Sequence, residues 1–155
     1  QLKGGKRKVL PSVQEHISKE TEMGLHSLQE KQVFERYESR ISQGKREYMT
    51  MIEALKNDGK TIVGYGASAT STTLIYHYEM DGTLEYLVDD FEAKHGLYSP
   101  GLHLPVFSSS ELYVNPPDYV VILAWRYYEK IIDRHQRFLD LGGRFIVPLP
   151  NLRVI

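Results

Sequence analysis

The chain of 155 residues has no cysteine. That absence removes disulfides, thiolate metal sites and cysteine nucleophiles together, and it suits a reducing, cytoplasmic setting. An excess of charge of one sign is missing too. Against 20 Asp and Glu stand 19 Lys and Arg, a formal net charge of −1 with His neutral. No global field draws in nucleic acid or an anionic membrane, so neither is expected as a partner. No apolar run approaches the roughly 20 residues of a membrane span, and no signal-peptide core opens the chain. The histidines fall at no metal-ligand spacing, and no metal site is expected. What remains is an ordinary globular composition, in a length that suits one domain with a real core.

The chain starts at Gln1 and passes through Gly4-Gly5 into the basic run Lys6-Arg7-Lys8. This opening reads as a cut through a longer polypeptide, and the basic run as a solvated linker. From there to about Gly59 the texture is helical. Ser12 with Glu15 has the form of a capping box behind Pro11, with Gly24 as the stop, and Ser27 with Glu30 forms a second box. Phe34, Tyr37, Ile41, Tyr48, Met51, Ile52 and Leu55 then recur at spacings of three, four and seven, one apolar stripe on a helix closed by Asn57-Asp58-Gly59. Unbroken, that helix has roughly thirty residues and spans about 45 Å, with Gly44 as the place to bend. Covering a sheet face accounts for half the stripe. The other half calls for a neighbouring domain or a second copy of the chain in a homo-oligomer.

From Lys60 the pattern alternates. Thr61–Gly64 reads as a strand, Ala67–Tyr78 as a helix and Leu84–Val88 as a strand ending in Asp89-Asp90. A loop from about Phe91 to Leu104 leads to a short strand at Pro105–Phe107 and a helical turn at Ser108–Leu112. Tyr119–Leu123, apolar throughout, reads as a strand buried on both faces. Tyr127–Leu141 reads as one helix, Gly142-Gly143 ends it, and Arg144–Val147 is a last strand before Pro148 and Pro150. The order predicts an α/β fold: an open, mainly parallel sheet of about five strands with flanking helices, preceded by a long N-terminal helical segment. The division falls between residues 1–59 and 60–155.

Gly64-Tyr65-Gly66-Ala67-Ser68-Ala69 fits G-x-G-x-x-G/A directly after a strand and at the opening of a helix. The first glycine makes the tight turn, the second lets backbone approach a phosphate, and the small third residue lets helix and strand pack closely. Helix N–H groups then face an anion, Ser68 and Thr70 add hydroxyl donors, and Asp89 stands where a dinucleotide-binding domain keeps its ribose acid. A bare strand-to-helix turn needs the same glycines, so the turn is either geometry alone or a phosphate site.

Further motifs extend the pattern. Gly64–Ala69 with Thr73 and Leu74, the stretch Lys94–Pro105, Pro117–Trp125 and Gly142–Pro150 occur in order and at the spacing of one family. Together with Gly4-Gly5, Pro11-Ser12-Val13, Glu20 and Gly24-Leu25, they cover nearly the whole chain. The chain resembles the C-terminal, Rossmann-like domain of the S-adenosylmethionine-dependent C-methyltransferases that act on nucleotide-linked sugars. The resemblance implies a three-part enzyme, with a cysteine-rich zinc module and an S-adenosylmethionine-binding domain upstream. This domain is then expected to bind the nucleotide-linked sugar, to hold no cofactor or metal, and to be inactive in isolation, with the methyl-donor domain of the same polypeptide as its partner. No catalytic residue carries over.

The resemblance has departures. Thr70-Ser71-Thr72 replaces the family's Lys-Gly-Asn, Asp89-Asp90-Phe91-Glu92 its Asp-Arg-Asn-Pro, and Arg126 an asparagine after Trp125. Arg126 is placed to restore the missing positive charge. The expected site thus comprises Gly64, Tyr65, Gly66, Ala67, Ser68 and Thr70 of the turn and Asp89 and Lys94 after the second strand. Tyr98, His103, Trp125 and Arg126 join them, in loops expected at the carboxyl edge of the sheet. Trp125 either stacks on a base or sugar or belongs to the core, and His103 offers a hydrogen bond to sugar or phosphate. Two other readings compete: a nicotinamide-nucleotide domain of an oxidoreductase, although no Tyr-x-x-x-Lys pair occurs, and a degenerate Rossmann-like module serving assembly only.

Overall fold

Pro11 sets where the first helix begins, because its fixed φ and missing N–H suit the first helical position. The computed structural model, which describes residues 8–25 and 31–155, has α1 at Pro11–Glu22 with Leu10 as an extended N-cap. The capping box expected at Ser12 and Glu15 does not form: Pro11 places Ser12 inside the first turn, and no side chain caps the helix. The box at Ser27 and Glu30 lies outside the described residues. Gly24 does end α1, with φ of 76° and bonds from Gly24 N to Thr21 O and Leu25 N to Glu20 O, the Schellman pattern.

The chain divides into two compact units, Gln1–Ser42 and Gln43–Ile155. The second opens upstream of the change in texture at Lys60. Helix α2 (Lys31–Asn57) runs through Gly44 without a break and closes on a second Schellman pattern, Gly59 N to Lys56 O and Lys60 N to Leu55 O. Of its apolar stripe, Tyr48 and Ile52 are buried in the core of the second unit, and Met51 and Leu55 pack at its margin. Phe34 and Tyr37 are exposed.

The sheet consists of β1 (Ile62–Tyr65), β2 (Leu87–Asp89), β3 (Val106–Ser108), β4 (Tyr119–Ile122), β5 (Arg144–Val147) and β6 (Arg153–Val154), in the order β3-β2-β1-β4-β5-β6. The first five are parallel and β6 is antiparallel to β5. This is an α/β, Rossmann-like fold with six strands rather than about five. The extra strand follows Pro148 and Pro150, a stretch whose prolines and brevity hide a two-residue strand from pattern reading.

Side chains alternate across the sheet. Ile62, Leu87, Val121 and Ile146 face a core shared with Tyr48 and Ile52 of α2 and with Leu74 and Ile75 of α3 (Ala69–His77). Val63, Val88, Val120, Phe145 and Val147 face the other core, filled by Leu112 of α4 (Glu111–Val114), Ile131 and Ile132 of α5 (Tyr128–Arg134) and Phe138 of α6 (Gln136–Asp140). The helix expected over Tyr127–Leu141 is thus two helices, interrupted at His135, whose side chain turns inward and is 4% exposed. At the opposite end of the sheet Asp118 ties β4 to β1: its Oδ2 accepts from Thr61 N and Thr61 Oγ1, both at 2.9 Å, and its own amide donates to Thr61 Oγ1.

Gly44 owes its tolerance in mid-helix to Tyr78. A Cβ added there would stand 3.1 Å from Tyr78 Oη, and that hydroxyl is buried with no hydrogen-bond partner among the described residues. Burying a hydroxyl unpaired costs about 1–3 kcal/mol. Tyr78→Phe should therefore raise stability to urea by about 1 kcal/mol. Gly44→Ala, held back by the hydroxyl in the native chain, should add its helix-propensity gain of up to about 1 kcal/mol only in the Tyr78→Phe background. A destabilised Tyr78→Phe, or additive effects, would contradict this account.

Candidate functional site

Strand order reverses between β1 and β4. The connection leaving β1 crosses to β2 on one side, and β4 leads to β5 on the other, so their exits part at the carboxyl edge and leave a crevice there. Two loops frame it. One is the glycine turn Gly64–Thr70, and the other carries Ala124, Trp125 and Arg126. They touch at the base: a Cβ on Gly66 would stand 2.9 Å from Ala124 Cβ and 3.2 Å from Ala124 N, and Gly66 has φ of 106°. Any side chain at Gly66 strains the turn whether or not a ligand is bound, so a valine there is a poor test of binding. Tyr65 O fastens the two loops together by accepting from Leu123 N at 2.9 Å and Ala124 N at 3.1 Å.

Beyond the turn, Ser68 is the N-cap of α3. Its Oγ accepts from Ser71 N at 3.2 Å and lies 3.0 Å from Thr70 Oγ1. The amides at the very start of α3 have no intrahelical partner and lie at the positive end of the helix dipole, an anion-seeking geometry. Ala67 N, by contrast, is taken. It donates to Asp89 Oδ2 at 2.7 Å, which also receives Lys94 Nζ at 2.8 Å, while Asp89 Oδ1 accepts from Phe91 N at 2.9 Å. Burial pushes the Asp89 carboxyl up. The hydrogen bonds from Lys94, Ala67 and Phe91, with the Lys94 charge, outweigh it and hold the pKa below its ordinary value. Asp89 and Lys94 thus brace the turn from β2.

Tyr65, at the middle of the turn, is buried on the face opposite α3. Its hydroxyl donates to Asp90 Oδ1 at 2.7 Å and lies 2.9 Å from His135 Nε2, whose Nδ1 lies 2.7 Å from Tyr113 Oη. Trp125 and Arg126 form a 3-10 turn after β4. The Arg126 guanidinium lies 5.2 Å from the Trp125 ring centroid, and the indole packs in part against the α3-side core. Arg126 makes no ion pair among the described residues; the acids at the end of β2 are occupied by Lys94 and Arg134.

Tyr98 and His103 are not with the others. After the 3-10 turn Glu92–Lys94 the chain runs back antiparallel to β3: Gly96 N donates to Val106 O, Val106 N to Leu97 O, and Tyr98 bridges Pro105. Val106 opens β3 and pairs with Leu87, the first residue of β2. The tip Pro100–His103 therefore lies beyond the amino ends of the strands, across the sheet from the turn. The expectation that Tyr98 and His103 stand at the carboxyl edge fails, because a connection between parallel strands must finish at the amino edge.

A cavity of about 340 Å³, lined by Tyr48, Ile52, Lys56, Tyr78 and Gly82 among others, lies between α2 and the stretch after α3, away from the turn. Among the described residues no helix is long and apolar enough to cross a membrane.

The model of the family described as the C-methyltransferase C-terminal domain matches residues 1–150. The chain belongs to that family. It is also 34% identical over 152 residues, 95% of its length, to the C-methyltransferase NovU of Streptomyces niveus, and spans about a third of that relative, 34%.

In this C-methyltransferase C-terminal domain, the residues missed by sequence reasoning are His135, Tyr113 and Asp90. The only signals were an inward-facing histidine in an otherwise amphipathic helix and a second acid after β2; neither specifies a partner. For Asp89 the outcome of substitution follows from its bonds. A carboxyl whose folded pKa is depressed contributes stability that is present above its unfolded pKa, about 3.9, and is lost as pH falls through the folded value. Asp89→Asn should lower stability at pH 7 by about 1.5–3 kcal/mol, and the difference from the native chain should shrink below pH ~4. Urea midpoints at pH 7 and pH 3 measure both effects; equal losses at the two would show that the charge is not what braces the turn.

Proposed function

We propose that this domain holds a nucleotide-linked sugar in the crevice between the Gly64–Thr70 turn and Trp125–Arg126. There it presents the sugar to an S-adenosylmethionine-binding domain of the same polypeptide, in the cytoplasm. In this reading residues 1–59 are the helical link to the donor domain and residues 60–155 carry the site. The observation that carries the proposal is the coincidence, at the switch point of the sheet, of an N-capped helix start and the Arg126 guanidinium, which makes no ion pair among the described residues. Open α/β sheets bind ligands at that point, and helix starts and guanidinium groups both favour phosphate. Ser68 and Thr70 supply hydroxyls beside the free amides, Trp125 offers an indole edge, and Gly64, Tyr65, Gly66 and Ala67 set the turn. S-adenosylmethionine supplies the methyl group, and this chain is assigned substrate positioning rather than bond making.

The nicotinamide-nucleotide reading is weaker. A ribose acid has to face its ligand, whereas Asp89 is 9% exposed and its oxygens already take three donors.

Titrating the 15N-labelled chain with uridine- and thymidine-diphosphate glucose should shift the amides of Gly66–Thr70 and Trp125–Arg126. Arg126→Ala should weaken binding about ten- to a hundredfold, the loss of a charge-assisted hydrogen bond. Calorimetry with S-adenosylmethionine should give no heat of binding. Shifts confined to α2 or to Tyr98–His103, or micromolar affinity for the methyl donor, would defeat the proposal.

A further inference from the structure

We infer that His135 is a positioning residue for the ligand-binding turn: as the neutral Nε2–H tautomer it donates to Tyr65 Oη and fixes the phenol that anchors the turn. The inference rests on the carboxyl-edge site proposed above.

Proton counting fixes the tautomer. Tyr65 has one hydroxyl proton, and Asp90, a carboxylate at 2.7 Å, can only accept it. The 2.9 Å contact between Tyr65 Oη and His135 Nε2 then requires the proton to be on Nε2. Nδ1 is left as an acceptor and takes the Tyr113 hydroxyl at 2.7 Å. Every hydrogen runs one way, from Tyr113 through His135 and Tyr65 to Asp90. Asp90 is held in place by Ser109 Oγ at 2.8 Å and by Arg134.

The chain ends on the turn's hub. The residue whose phenol His135 holds is the one whose carbonyl ties Leu123 and Ala124 of the β4 exit to β1. Anchoring the ring restricts the peptide between Gly64 and Gly66, two residues with no side chain to anchor themselves. His135 reaches Tyr65 because α5 and α6 are interrupted at that residue.

A proton added to Nδ1 leaves the Nε2–H bond to Tyr65 in place and requires the Tyr113 hydroxyl to turn and accept. Among the charged groups around the ring, Asp90 favours the imidazolium. Arg134, and Arg137 at 5.2 Å from the Tyr113 ring centroid, oppose it. Burial pushes the His135 pKa down; Asp90 raises it in part, and Arg134 lowers it again. The unfolded chain therefore takes up this proton near pH ~6.5 while the folded chain resists, so stability falls as pH drops below that value.

The test uses the 155-residue chain. Long-range 1H–15N spectra at pH 7.5 should show His135 as a single Nε2–H tautomer; an Nδ1–H or averaged ring would overturn the inference. Affinity for thymidine-diphosphate glucose at pH 7.5 should fall about tenfold in His135→Phe, the loss of one buried hydrogen bond. Unchanged affinity in a folded His135→Phe would overturn the inference. Tyr113→Phe, which removes the hydrogen bond that orients the ring, should weaken that affinity too, and unchanged affinity counts against the inference even if His135→Phe does not fold. If the native chain binds no nucleotide-linked sugar at any pH, the functional proposal falls. The positioning role is then decided by hydrogen exchange at Gly66 and Ala124, expected to quicken about tenfold in a folded His135→Phe or Tyr113→Phe, with unchanged exchange rejecting it.

Discussion

The close approach of the β1 and β4 exits is the constraint on which the rest of the site depends. Two parallel strands at the centre of the sheet send their chains in opposite directions, yet Gly66 lies against Ala124 and one carbonyl, Tyr65 O, receives two amides from the far loop. Only a residue without Cβ permits that contact at a positive φ. The groups around it are backbone amides, hydroxyls and one guanidinium, a set that suits a phosphate-bearing molecule better than an apolar one.

Two acids follow β2, an odd choice beside a site proposed to take a phosphate. Their bonding resolves the difficulty. Asp89 is neutralised by Lys94 and turned toward the Ala67 and Phe91 amides, while Asp90 is paired with Arg134 and receives Tyr65 and Ser109. Both serve as internal acceptors that hold the turn from two sides, one on each face of the sheet. The negative charge that would repel a phosphate is consumed in making the loop rigid.

Much of this could be read in the sequence because it is written locally. β-Branched runs, a Gly-x-Gly turn and Gly-Gly after a helix name their own conformations, and five strands and the turn fall close to where the pattern puts them, although β2 begins at Leu87 rather than Leu84. Longer-range facts were not legible. That Tyr98 and His103 lie across the sheet from Gly66 follows from β2 and β3 being parallel neighbours, since the intervening chain must come back to the start of β3. Motif spacing carries no such direction. The partnership of Tyr65, His135 and Tyr113 joins residues far apart in sequence and far from any recognisable motif, and only the packing of α4, α5 and α6 on one face brings them together. Ser12 misled for the opposite reason: two local signals competed, and the rigid ring of Pro11 prevailed over a side-chain cap.

The two ends of the sheet carry a consequence for association. On one side β3 is covered by the returning segment Gly96–Tyr98, which takes up main-chain donors and acceptors of the strand. On the other side β5 is closed by β6, a strand of only two residues. A sheet with exposed edges can recruit strands from other molecules, and short or covered edges are how folded proteins prevent it. Strand addition onto β3 itself is thereby prevented, and at β6 it has a two-residue foothold. Both borders therefore favour contacts made through helices and side chains, which are selective, over backbone pairing, which is not.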